Sequence, residues 1–234
     1  LRQFVYFGHR LGRRIKLCGR WVDGFVGIGD SLFCLFADFV GFSKIAEQLG
    51  PQQLVSELDT CFRAFDQIIA KYNLEKIKTI GDAYMCAGGL PNGGGAQLSD
   101  MVLAARDMQK WLHTWDTERR KNGQPRFEAR IGIHRGPVVA GVVGSKKFAF
   151  DIWGDTVNTA SRMESSGEVG QVNISGNTYA LVKDIPGLAF TPRGKVQAKG
   201  KGEMEMFFVR RSGEAGRVAR RVSSTDITLP KHWV

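Results

Sequence analysis

Little in this 234-residue chain suggests a membrane span, a disulfide framework or a zinc site. No run of about 18 apolar residues is free of charge. The nearest, 25–42, is broken by Asp30 and Asp38. Cysteine is scarce: Cys18, Cys34, Cys61 and Cys86 show no CxxC spacing, and three lie in apolar surroundings. Buried, reduced thiols in a cytosolic compartment are the expectation. There is no GxxxxGK[ST] and no GxGxxG, which argues against a P-loop or a Rossmann site. No internal repeat or linker marks a second domain. The chain opens at Leu1 without a secretory pattern, and the expectation is a piece of a longer protein carrying an upstream regulatory or membrane domain.

Acid is missing from one end. Residues 1–22 hold six Lys and Arg residues and no carboxylate, and the tail from Arg210 is basic against only Glu214 and Asp226. Much of the formal charge of +10 therefore sits at the two ends, while the centre is nearer balance. Such flanks suit an anionic membrane surface or an acidic partner at least as well as nucleic acid, which is the least supported partner. Residues 1–31 have no sustained period and stay unassigned as ordered leader, juxtamembrane segment or disordered arm. Residues 211–234 read as a flexible tail. Its Arg220-Arg221-Val222-Ser223 resembles a basophilic kinase site, a pattern common by chance.

Between the ends the pattern is regular. Residues 32–37 form a short apolar run closed by Asp38, as expected of a buried strand. Gly41 allows a turn, Ser43 can open a helix, and Pro51 suits a first helical position. From Leu54 to Tyr72 apolar residues recur at three and four, the mark of an amphipathic helix. Residues 75–80 alternate, with Lys76, Lys78 and Ile80 on one face. Gly81-Asp82 is a hairpin dipeptide and 83–87 returns as a strand. Loop 91–95 leads to a second long helix. Residues 127–134 alternate again, Arg135-Gly136 is expected to turn the chain, and 137–143 to run back. A helix at 172–183 and a strand at 204–209 complete the set. Strand, helix, hairpin, helix, hairpin predicts an α+β fold of the ferredoxin-like, split βαβ kind, with a mostly antiparallel sheet and helices on one face.

The residues that could carry chemistry are few. Asp38 and Asp82 each end a strand or tip a hairpin, and neighbouring strands would bring both carboxylates to one edge. Hard oxygen ligands so placed suit Mg²⁺ or Mn²⁺, although turn aspartates also occur for local reasons. The turn Val40-Gly41-Phe42-Ser43 precedes a helix start, where amides cradle phosphate, or is plain turn geometry. In the stretch FAFDIWGDTVNTASRMES (148–165), Asp151 lies on a strand before Gly154. Asn158 and Arg162 stand four apart on one helical face, which suits an anionic ligand or an ordinary polar surface.

This stretch resembles the signature of the class III nucleotide cyclases, the adenylyl and guanylyl cyclases. LFADFVGFSKIAE (35–47), EKIKTIGDAYMCAGGLP (75–91) and ARIGIHRGPVVAGVVG (129–144) resemble that family's other blocks, in its usual order. The resemblance covers about residues 32–209. It implies two Mg²⁺ or Mn²⁺ ions held by Asp38, Asp82 and the Phe39 carbonyl, and phosphates held by Val40, Gly41, Phe42, Ser43, Arg130 and Lys199. It implies Asn158 and Arg162 as the pair acting on ribose and α-phosphate. Lys78 and Asp151 fall at the purine-reading positions and match the adenylyl pair, where guanylyl cyclases typically carry glutamate and cysteine. His134 has no catalytic role in the family.

The expectation is a catalytic domain over 32–210 that converts ATP to 3′,5′-cyclic AMP and pyrophosphate in a head-to-tail homodimer whose sites are shared between subunits. The alternatives are a guanylyl cyclase, a regulatory nucleotide-binding module without turnover and, more distantly, a nucleic-acid-binding protein.

Overall fold

A computed structural model describes residues 13–17, 20–24, 26–90, 95–143 and 149–213, with side chains in 32–90, 95–142 and 149–213. Cys18, the start of loop 91–95 and the Arg220-Arg221-Val222-Ser223 motif lie outside the described residues. Within the unassigned leader, β1 (Arg13–Leu17) and β2 (Arg20–Gly24) pair antiparallel.

The centre of the sheet is β3 (Val26–Phe39), which starts earlier than the run at 32–37 suggested. Its side chains alternate between two interiors. Phe33, Leu35, Ala37 and Phe39 join the core under the long helices, while Leu32, Cys34 and Phe36 join a second core on the opposite face. A strand covered on both faces has no polar side to show, which is why its sequence is continuously apolar from Leu32 to Ala37.

After β3 come α1 (Phe42–Gln48) and α2 (Pro51–Lys71), the latter with Pro51 in its first turn and Cys61, Phe65 and Ile69 buried along one stripe. Next are β4 (Glu75–Ile80) and β5 (Ala83–Gly88), then α3 (Leu98–Lys121). The start of α3 is closed by a reciprocal box in which Gln97 N–H donates to Asp100 Oδ2 at 2.6 Å. Then follow β6 (Ala129–Val143), β7 (Ala149–Trp153), α4 (Asp155–Ser165), β8 (Val172–Ser175), α5 (Gly176–Val182), β9 (Leu188–Ala198) and β10 (Gly202–Arg211). The sheet runs β4-β5-β3-β6-β8-β10-β9, with β7 paired to β6. Only the β6–β8 pairing is parallel among those described. The split βαβ core β4-β5-β3-β6 and the α+β class match the expectation.

Four details correct it. Arg135-Gly136 is not a turn: β6 passes straight through it, paired with β3 from Phe39↔Ala129 to Val26↔Gly141. Gly136 serves close packing instead, because a Cβ there would lie 2.5 Å from Thr156 Oγ1. The strand that returns along β6 is β7. Helices do not keep to one face, since Ala160 of α4 packs into the second core with Val138 and Ile152. Residues 172–183 are a strand and then a helix, with the Ser175 hydroxyl capping α5 by accepting from Thr178 N–H. Strand β9 was not expected at all. Cys34, Cys61 and Cys86 are buried free thiols, and burial pushes Cys34 up to about 12. Among the described residues no helix is long and apolar enough to cross a membrane.

Candidate active site

Asp38 lies on β3 directly across from Arg130 on β6. Both project to the α4 face, because residues on alternate positions of a strand share a side. The Arg130 Nη2 donates to Asp38 Oδ2 at 3.2 Å and its Nε to Glu164 Oε1 at 2.8 Å. Asp82, in the β4–β5 turn, is pushed above the usual carboxylate range by partial burial and then by the charge of Asp38. Glu164 is pushed up to about 7 by burial; Arg130 opposes this, and Asp38 and Asp82 add to it. Three carboxylates thus gather round one guanidinium, with more negative charge than it balances.

Phe39 is anchored for a different reason. Its ring is buried against Phe62, Phe65 and Phe127 at centroid distances of 5.4–6.3 Å, which fixes the main chain next to Asp38. Val40 N–H is spent on the Glu128 carbonyl at 2.8 Å. Gly41, at φ 70°, turns the chain into α1, so Phe42 and Ser43 begin that helix, where first-turn amides have no intrahelical partner.

Lys78 and Asp151 meet. The Lys78 Nζ donates to Asp151 Oδ2 at 2.6 Å, across a sequence separation of 73, and Asp151 Oδ1 accepts from Ile152 N–H. A bulge makes this possible. Lys76 stands opposite Cys86 and Lys78 opposite Met85, so the register slips by one residue between them. Cys86 and Met85 face opposite cores. The expectation that Lys76 and Lys78 share a face is therefore wrong. Lys76 turns to α2 and donates to Asp66 at 3.0 Å, while Lys78 turns to β7.

Asn158 and Arg162 lie on α4 as their spacing required, Asn158 exposed and Arg162 half-buried. Neither side chain has a polar partner among the described residues. Lys199 is exposed in the β9–β10 turn, whereas Lys201, two residues on, forms the ion pair with Asp155 in the first turn of α4. Lys201 was missed because KGK offers two candidates and sequence cannot say which one the hairpin aims inward. Glu164 was missed although a local signal existed: an acid in a helix's last turn opposes the helix dipole. His134 is structural, as expected, with Nδ1 2.7 Å from Ser175 Oγ, and burial pulls it down to about 4. A groove of about 500 Å³ lies elsewhere and is lined by Arg106, Gln109, Lys110, His113 and Arg210 among others; it contains none of these site residues.

Comparison with known proteins gives this geometry a context. The profile of the Adenylate and Guanylate cyclase catalytic domain matches residues 29–211. The chain belongs to this family. An adenylate cyclase of Mycobacterium tuberculosis is 40% identical over 180 residues, covering 77% of this cyclase domain's chain and 39% of that protein. Atrial natriuretic peptide receptor 2 of Bos taurus is 38% identical over 193 residues, covering 80% and 18%. The chain thus spans about two fifths of the first relative and under a fifth of the second. Among solved structures, the adenylyl cyclase CyaB from P. aeruginosa superposes with a TM-score of 0.75 at 28% identity, covering 82% of this chain and 100% of that one. The guanylate cyclase domain of RhGC from Catenaria anguillulae, in complex with GTP, gives 0.71 at 31% identity, covering 79% and 98%. The protein is a class III nucleotide cyclase domain, and relatives named for each purine are similar to it.

Proposed function

We propose that this domain is an adenylyl cyclase, converting ATP to 3′,5′-cyclic AMP and pyrophosphate. The observation that carries the reading is the 2.6 Å contact between Lys78 and Asp151. It sets a donor and an acceptor side by side, complementary to adenine N1 and the 6-amino group. Guanine presents the reverse pattern, so neither group gains a partner on the base, at a cost of about 1–3 kcal/mol for each.

The reaction is an in-line displacement. The ribose 3′-oxygen attacks the α-phosphorus, the bond to the bridging oxygen breaks, pyrophosphate leaves, and the 3′-hydroxyl proton passes to water. Asn158 orients the ribose. Arg162 meets charge developing on the α-phosphate, and loss of such a group costs about 10²–10³ in rate. Arg130, Lys199 and the turn Val40-Gly41-Phe42-Ser43 serve the outgoing phosphates, with Val40 shaping the turn rather than donating.

Asp38 and Asp82 fit a pair of divalent cations. They are hard oxygen donors, and partial burial, then the charge of Asp38, pushes Asp82 upward. No cluster of three or more His, Cys, Asp or Glu residues suited to a metal occurs among the described residues. Two carboxylates plus the Phe39 carbonyl are what Mg²⁺ accepts when water and phosphate complete its shell. When bound, such ions supply Lewis-acid stabilisation of the phosphates and ease loss of the 3′-proton.

In this reading two copies of the chain, each with its catalytic unit over 32–210, pair head to tail. Each site takes Asp38 and Asp82 from one copy and Lys78, Asp151, Asn158 and Arg162 from the other. Two features support this: Asn158 and Arg162 have no polar side-chain partner among the described residues, and apolar Val139 and Trp153 are exposed next to the start of α4. Product formation from ATP and from GTP, assayed separately with Mn²⁺, tests the assignment. Preference for GTP overturns the adenine reading and leaves a guanylyl cyclase. No product from either leaves a nucleotide-binding module.

A further inference from the structure

We propose that Glu164 is a positioning residue for the metal half of the shared site, acting through Arg130, although it sits on the helix that serves the opposite half. This rests on the reading above that two copies share each site. Glu164 lies two residues beyond Arg162 on α4, so its place in the sequence assigns it to the half that meets the α-phosphate. Its side chain makes a different assignment. The buried carboxylate accepts from Arg130 Nε, and Arg130 Nη2 donates to Asp38 of the same chain.

The backbone enforces the contact. Gly132, two residues along β6 from Arg130 and on the same face, has no side chain where α4 crosses. A Cβ there would stand 1.9 Å from Glu164 N. The helix therefore rests main chain to main chain on β6 and delivers Glu164 beside Arg130. Burial of a carboxylate and its position at a helix C-terminus both count against glutamate here. The guanidinium contact is the compensating interaction.

The consequence concerns what Arg130 is free to do. A guanidinium facing a lone carboxylate swings into a two-pronged pair with it. Held at Nε by Glu164, Arg130 touches Asp38 with one nitrogen only, and Nη1 has no partner among the described residues, leaving it available to a phosphate oxygen. Without Glu164, Arg130 becomes an internal cation that closes on Asp38 and competes with the divalent ion.

The test uses Glu164→Gln, which keeps the volume and removes the charge. Manganese titrated into the nucleotide-free protein, followed by the resonance signal of free Mn²⁺, is expected to bind about tenfold more weakly, the effect of one charge-assisted hydrogen bond. The KM for ATP rises by a similar factor. The decisive measurement mixes Glu164→Gln with a large excess of inert Arg162→Ala. One site of each mixed dimer then combines the intact metal half of the Arg162→Ala copy with α4 of the Glu164→Gln copy, and its KM returns to the wild-type value. A KM that stays raised means that Glu164 works through α4 itself and overturns the proposal, as does unchanged Mn²⁺ affinity. If Glu164→Gln fails to fold, Glu164→Asp, with its shorter reach, gives the same readouts. A mixture of Asp82→Ala with Arg162→Ala is the control for shared sites. Its failure defeats the dimer reading, while the manganese titration still decides whether Glu164 restrains Arg130.

Discussion

Gly132→Ala adds one methyl group and is expected to be among the most damaging substitutions in this domain. The added Cβ would lie 1.9 Å from Glu164 N and 2.5 Å from Glu164 Cα and from the Met163 carbonyl carbon. Carbon contacts are comfortable at roughly 3.5–4.0 Å, so the last turn of α4 must retreat by about 1.5 Å. Backbone cannot rotate aside as a side-chain tip can. Overpacking of this kind costs about 1–3 kcal/mol, and the retreat also pulls Glu164 from Arg130, a charge-assisted bond worth roughly 1.5–3 kcal/mol. A total near 4 kcal/mol is a large part of the 5–15 kcal/mol that typically holds a domain together. Gly136→Ala is the comparison. Its Cβ would meet Thr156 Oγ1 at 2.5 Å, a side-chain atom that can turn away by giving up its 2.6 Å bond to the Pro137 carbonyl, for about 1–2 kcal/mol. Urea unfolding followed by circular dichroism gives both values. Cyclase assays on whatever fraction of Gly132→Ala folds are expected to show a rate loss near 10²-fold, because Arg162 shifts with the helix. A Gly132→Ala protein within about 0.5 kcal/mol of wild type, or less affected than Gly136→Ala, would refute the reasoning.

Three further outcomes are expected. Lys78→Met removes the donor beside Asp151 and lowers kcat/KM for ATP by about 10–100-fold, narrowing the ratio of ATP to GTP turnover. Lys76→Met, two residues away but turned to the other face by the bulge, changes stability by under about 1 kcal/mol and leaves that ratio where it was. Equal effects of the two on the ratio would show that the bulge is misplaced. His134 is held neutral by burial, its pKa drawn from 6.5 to about 4. The unfolded chain therefore binds the proton more readily. The stability this gives is present above pH 6.5 and is lost as pH falls toward 4, by about 3 kcal/mol. His134→Gln flattens that stretch of a stability-against-pH curve, and parallel curves for the two proteins would contradict the assignment.

How much of this was visible beforehand depends on the range of the interaction. The amphipathic spacing of α2, the Gly81-Asp82 turn and the placing of Asn158 and Arg162 on one helix are set by neighbours three or four residues away, and the sequence displays them. Other features are set at long range. Gly136 looks like a turn glycine until α4 is laid over it, and only then is it a glycine that lets Thr156 approach. Lys76 and Lys78 look equivalent until the pairing of β4 with β5 slips by one residue and sends them to opposite faces. Glu164 looks like a surface acid until β6 brings Arg130 beneath it.

By itself, then, the sequence determined the family, most of the elements up to α3 and which side chains were available for chemistry, because periodicity and turn residues are properties of short segments. Only the tertiary structure decided which of those side chains meet. It paired Lys78 with Asp151, brought Lys201 rather than Lys199 onto α4, and joined Asp38 to Glu164 through Arg130. Those contacts depend on strand register and on where a helix backbone can rest on a sheet, and no local stretch of residues records either.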